Sequence, residues 1–166
     1  MILISHRGNI DGREPQRENN PDFILEAVKA GFDVEVDVWV IDSQYLLGHD
    51  EPQYEVNLEW LRKLPLWCHA KNKEAFTQLL ISNIHCFWHE NDRFTLTSKG
   101  IPWCFPNNYQ KNGITVSLGI KENNFSHDIL GVCTDYPLTW RNDIQETNHF
   151  GWNPEVVLED WIFLPK

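Results

Sequence analysis

Four valines alternate with polar and aromatic residues through Asp33-Val34-Glu35-Val36-Asp37-Val38-Trp39-Val40. Side chains in a strand change face at every residue, so this period of two predicts a strand whose valine face meets a core. Glu35 and Asp37 then share the opposite face, one above the other. Two neighbouring carboxylates are costly to bury, so a cation is expected beside them. A turn, a short apolar strand and Gly48-His49-Asp50 follow.

The same patterning organises the rest of the chain. Residues 2–5 are a short apolar strand ending in His6-Arg7-Gly8, and residues 9–20 are a polar loop. Asn20-Pro21 reads as a helix start, with Phe23, Ile24, Ala27, Val28 and Ala30 as its apolar stripe and Gly31 as its stop. Strand, loop, helix and strand make a βαβ unit, which builds parallel sheets. Residues 57–63 read as a short helix, 66–70 as a strand, and Asn72 as the cap of a helix carrying Phe76, Leu79 and Leu80. Apolar runs at 84–88, 101–105, 114–118 and 130–133 bring the strand candidates to seven, with an ambiguous run at 156–158. Cys68, Cys86 and Cys104 recur at a spacing of 18, each near a Trp, a weak sign of a repeating βα unit.

Full (β/α)8 barrels take ~250 residues, and eight units in this chain would average only ~21 each. The expected architecture is therefore α/β, a small, trimmed or incomplete (β/α)8 TIM-like barrel, in a single domain over residues 1–166. An open doubly wound sheet is the alternative, since the same alternation makes one.

Composition narrows the function classes. The net charge is −10, which argues against nucleic acid as a partner, because phosphate-backbone binding needs clustered Lys and Arg. Eight Trp, nine Phe and four Tyr favour an aromatic-lined site or surface. The four cysteines show no zinc spacing and read as buried free thiols of a reducing compartment. With no signal peptide or membrane span in sight, the expectation is a soluble, cytoplasmic protein.

In parallel βα folds, functional groups gather at the carboxyl ends of strands. His6-Arg7, Glu35 with Asp37, and His69-Ala70-Lys71 all sit at or near such ends, and His49 follows the second strand. Each has an ordinary reading as well. His6, Arg7 and His49 suit turns, the acids suit an edge strand, His69 suits a structural histidine, and Lys71 suits a solvated strand end. Together they bring two histidines, two acids and two cations toward one mouth.

Five elements in order carry a resemblance: Ser5-His6-Arg7-Gly8; Glu18-Asn19-Asn20-Pro21; the helix end at Gly31; Glu35-Val36-Asp37-Val38; and Gly48-His49-Asp50. The chain resembles the glycerophosphodiester phosphodiesterases, of the phospholipase C-like superfamily with TIM-barrel folds. The likeness covers residues 1–52, and Thr134-Asp135-Tyr136-Pro137 matches a motif that follows the family's last strand. It implies His6 and His49 as catalytic residues, Arg7 and Lys71 as phosphate-binding, and Glu35 and Asp37 as metal ligands. His69 stands where the family's third ligand is a Glu, which leaves the set one negative charge short and softer toward metals. The implied cofactor is a divalent metal (Mg2+, Ca2+ or Mn2+), and the implied partner is a small-molecule phosphodiester.

The chemistry agrees with the likeness. Cations shield a phosphodiester's charge, and two groups titrating near neutrality exchange protons with the nucleophile and the leaving group. The expected function is metal-dependent phosphodiester cleavage by two histidines. The alternatives are a phosphate-binding module without turnover and a lyase releasing a cyclic phosphate from a lipid. His89 and Glu90 are substrate-pocket candidates; Trp39, Trp67, Trp88 and Trp103 are core or pocket, and Glu122 is a weak substitute carboxylate. His85, His127 and His149 have no supporting context.

Overall fold

The chain's first apolar run forms β1 (Ile2–His6), and the Asn20-Pro21 signal starts α1 (Pro21–Lys29). This computed structural model describes residues 1–119 and 128–148. The Asn20 side chain accepts from the Asp22 amide, which satisfies one of the free N–H groups of the first turn. The valine alternation becomes β2 (Asp33–Ile41), in which Val34, Val36 and Val38 are fully buried against Ile24 and Ala27 of α1. Burying each such side chain is worth roughly 1.5–3 kcal/mol.

Next come β3 (Gln44–Leu47), β4 (Tyr54–Val56), α2 (Leu58–Lys63), β5 (Leu66–Ala70), α3 (Lys73–Ile81) and β6 (Cys86–Phe87). The remaining elements are β7 (Phe94–Leu96), β8 (Pro102–Cys104), β9 (Ile114–Val116), β10 (Gly131–Thr134) and α4 (Pro137–Asn148). Asn57 and Asn72 cap α2 and α3 through their side chains. All four cysteines are free and buried. No helix among the described residues is long and apolar enough to cross a membrane.

Seven strands run parallel in the spatial order β6-β5-β2-β1-β10-β9-β8. β3 and β7 add antiparallel to β2 and β8, and β4 adds to β3. Eight strands follow one continuous path, while β5 and β6 branch from β2. Among the described residues β6 pairs only with β5, so the strongly curled sheet stays open between β6 and β8.

This corrects the expected (β/α)8 TIM-like barrel. The fold is a mixed, strongly curled half-barrel sheet with four short helices among the described residues, not an alternating barrel. The physical reason lies in the connections. Between β6 and β8 the chain makes a hairpin strand rather than a helix, and between β8 and β9 it makes turns through Pro106, Asn107, Asn112 and Gly113. Neither stretch has an apolar stripe of helical period, so no helix forms to cover that side. The reading also omitted β4, β7 and α4. Glu122, His127, His149 and the run at 156–158 lie outside the described residues.

Two apolar layers result. Alternate residues of β2 and β5 (Val34, Val36, Cys68, Ala70) face outward to the helices. Ile4, Trp67, Phe87, Trp103, Ile114 and Cys133 fill the inside of the curl. Glu35, Asp37 and His69 belong to this inner face, above that apolar plug.

Candidate functional site

Parallel register sets the first contacts. His6 lies beside Glu35 across β1 and β2, and Asp37 lies beside His69 across β2 and β5. Glu35 is 3% exposed and Asp37 not at all, so these are not solvent-facing edge-strand acids. One donor atom from each of Glu35, Asp37 and His69 falls within a 4.8 Å group. His69 Nδ1 is 3.1 Å from Asp37 Oδ1 and 3.8 Å from Glu35 Oε1.

Asp37 is heavily supported. Arg7 Nε lies 2.9 Å from its Oδ2 and Lys71 Nζ 3.4 Å from its Oδ1. Asn19 clamps the same residue twice: its Nδ2 donates to Oδ2 at 2.9 Å and its Oδ1 accepts the Asp37 amide at 2.9 Å. Burial alone would raise the Asp37 pKa. The hydrogen bond to His69 and the charges of Arg7, His69 and Lys71 outweigh it and hold the carboxyl well below the usual range. Glu35 goes the other way, raised first by burial and then by the charge of Asp37. Its Oε2 is buried without a hydrogen-bond partner, 4.0 Å from His6 Nε2.

The backbone around Arg7 is unusual. Arg7 has φ +55° and Asn19 φ +63°, left-handed values that cost a non-glycine residue on the order of 1 kcal/mol. The Arg7 amide donates to Glu35 O, and its carbonyl accepts the Asn19 amide. These bonds hold the 7–19 loop over the ends of β1 and β2. Glu18, beneath it, accepts from Arg7, Arg13 and Asn9.

Each candidate catalytic histidine has a carboxylate partner. His6 Nδ1 is 2.8 Å from Asp135 Oδ1, which also accepts from Asn9 Nδ2 at 2.8 Å. His49 Nδ1 is 2.7 Å from Asp50 Oδ1. His49 sits on a turn that only glycine permits at position 48: φ is +152°, and a Cβ there would collide with the Glu51 carbonyl. The Trp39 indole N–H donates to Gly48 O at 2.6 Å and pins that turn. Burial lowers the His49 pKa, which favours its neutral form at pH 7.

His69 supplies the test of a metal. Its Nε2 faces the His89 carbonyl at 3.1 Å, and a carbonyl only accepts, so Nε2 carries a proton. In the neutral ring Nδ1 then turns a lone pair toward two carboxylates. That arrangement calls for a cation between them, or for an imidazolium. Only the first makes His69 a ligand, since a protonated Nδ1 has no lone pair to give; the carbonyl on Nε2 holds the ring in the tautomer that ligation needs. With the unpartnered Glu35 Oε2, this donor set fits a divalent metal.

A cavity of about 460 Å³ joins these groups, with His6, Arg7, Glu35, His49, His69 and Lys71 at one end. His89, Glu90 and Trp88 also line it, whereas Trp67 belongs to the buried plug. The structure thus gathers all the sequence-predicted site residues except Asp37 on the cavity wall, with Asp37 directly behind. Sequence reasoning missed Asp135, Asn9, Asn19 and Glu18 as site residues. For Glu18, Asn19 and Asp135 the only signals were the motif stretches at 18–21 and 134–137, which carry no chemistry until folding brings them to His6 and Asp37; Asn9 had none.

Comparison with protein-family models, with curated proteins and with solved structures found no match in any of the three.

Proposed function

We propose that the protein is a metal-assisted phosphodiesterase acting on a small phosphodiester. The observation that carries this reading is the convergence on one cavity of Arg7, Lys71, a Glu35–Asp37–His69 donor set and two histidines, each with an aspartate on Nδ1. The likeness to glycerophosphodiester phosphodiesterases in residues 1–52 supports it. Glu35, Asp37 and His69 would hold a divalent ion, which supplies Lewis-acid neutralisation of charge on the phosphate oxygens.

Arg7 and Lys71 bind the non-bridging oxygens and orient the ester for attack. Each Nδ1 is engaged by its aspartate, so Nε2 is the nitrogen that exchanges protons with substrate. His49, favoured neutral by burial, is the base: it takes the proton as a neighbouring substrate hydroxyl forms its bond to phosphorus. His6 is then the acid that protonates the departing alkoxide as its P–O bond breaks, its ring oriented by Asp135 on Nδ1. Water then opens the cyclic phosphate with the two roles exchanged. Phosphorus NMR of the products tells hydrolase from lyase, because a cyclic phosphate has its own resonance.

His6→Ala and His49→Ala are each expected to lower kcat by roughly 10²–10⁴-fold on a glycerophosphodiester, with circular dichroism unchanged. Wild-type rates in both variants with metal present would overturn the mechanism. A second reading, a phosphate-binding module without turnover, is favoured by Arg7 and Lys71, which already neutralise Asp37 without a metal. It predicts stabilisation by glycerol phosphate with no response to Mn2+ and no diester cleavage.

A further inference from the structure

The cavity has two chemically distinct halves, and the strand order explains them. β1, β2 and β5 are neighbours whose ends carry His6, Arg7, Glu35, His69 and Lys71. β6, β8 and β9 lie on either side of the opening in the sheet, and their ends carry Phe87, Trp88, Phe105, Val116 and Leu118. The floor of this second half is a stack of rings: His69 stacks on Phe87 at 5.0 Å and 8°, and Phe87 stacks on Trp103 at 4.4 Å and 24°. Phe105 and Leu118 stand at the rim, 44% and 38% exposed, sizeable apolar surfaces left facing water.

Polar groups are sparse there. His89 contributes an imidazole, and the Glu90 carboxylate already accepts from Trp88 Nε1 at 3.2 Å. A glycerol or sugar group seated in this half would lose water from several hydroxyls and recover few hydrogen bonds, a costly exchange. An apolar group loses nothing of that kind and covers the exposed rim.

We propose that this half of the cavity seats a long alkyl ester group of the phosphodiester, so that the substrate is an alkyl-chain diester rather than a fully water-soluble one. The inference rests on the phosphodiester reading of the polar half. The polar end holds the phosphate, the stacked rings form the floor under the first carbons of the chain, and Phe105 and Leu118 enclose the carbons beyond.

The test uses the full chain with Mn2+ and a series of glycerophosphate esters of methanol, butanol and octanol, with glycerophosphocholine as the cationic comparator. kcat/KM is expected to rise about threefold per added methylene over the first carbons. Phe105→Ala and Leu118→Ala are expected to shrink the octyl-to-methyl ratio. Turnover with no dependence on chain length, or a preference for the choline ester, would overturn the alkyl site while leaving the phosphodiesterase reading intact. If no ester turns over, that reading fails, and calorimetric binding of methyl and octyl phosphate decides the site by itself. Tighter octyl binding that weakens in Leu118→Ala supports it, and equal binding overturns it.

Discussion

Glu35 and Asp37 lie two positions apart on one strand face, both buried, and yet their titrations move in opposite directions. Arg7, Lys71, His69 and Asn19 all reach Asp37, whereas Glu35 Oε2 has no hydrogen-bond partner. A carboxyl whose folded pKa is raised favours folding below its unfolded pKa and loses that contribution as pH rises through the folded value. Without metal, ionised Glu35 therefore costs stability at neutral pH. Glu35→Gln is expected to raise the Tm of chelator-treated protein at pH 7.5 by roughly 2–6 °C, about 1–2 kcal/mol. The gain should shrink on acidification, as the wild-type carboxyl takes up its proton. A Tm that drops in the variant, or a gain that grows on acidification, would contradict this assignment of charge.

Asn72 links two elements at the rim of the site. As the cap of α3 it accepts the Ala75 amide at 2.8 Å. It also reaches across to β2, donating to Val40 O at 2.9 Å and accepting the Val40 amide at 3.3 Å. The adjacent Lys71 amide donates to Val38 O, so the end of β5 that carries Lys71 is tied to β2 by consecutive residues. Asn72→Ala removes the cap and leaves both Val40 groups unpaired. Urea denaturation is expected to show a loss of about 1–3 kcal/mol. A loss under about 0.5 kcal/mol would mean that water replaces the side chain on both elements. The cap is legible from Asn72 and the apolar period after it, but the bond to Val40 is not, because it spans 32 residues and needs the parallel pairing of β2 with β5.

For the molecule as a whole, the site lies where three successive parallel strands end, and a bound metal would tie β2 to β5 through side chains as well as through their ladder. Ligand binding to the folded state alone adds RT ln(1 + [L]/Kd), about 2.7 kcal/mol at a hundredfold excess over Kd. Mn2+ at that level is expected to raise the wild-type Tm by roughly 5–10 °C, and Glu35→Gln to remove most of the shift. His69→Glu, which restores a third carboxylate, should move the preference toward Ca2+ or Mg2+. A thermal shift with the same size and metal order in all three proteins would show that the cluster holds no ion.

The sequence by itself determined the local features of this protein. The two-residue period of β2 set Glu35 and Asp37 on one face, and apolar runs with Asn caps located β1, α1, α2, β5 and α3, because strand alternation and helix capping depend on neighbours in the chain. It also singled out His6, Arg7, His49, His69 and Lys71, since each ends or follows a strand. The tertiary structure alone decided that Asp135 meets His6 across 129 residues and that Asn19 clamps Asp37. It decided as well that, among the described residues, the sheet is a mixed half-barrel open between β6 and β8, where an alternating, trimmed or incomplete (β/α)8 barrel was expected. Whether a curled sheet closes depends on strand pairings between distant segments and on helices to cover the ladder, and no local pattern encodes either. That opening left the apolar half of the cavity beside the charged one.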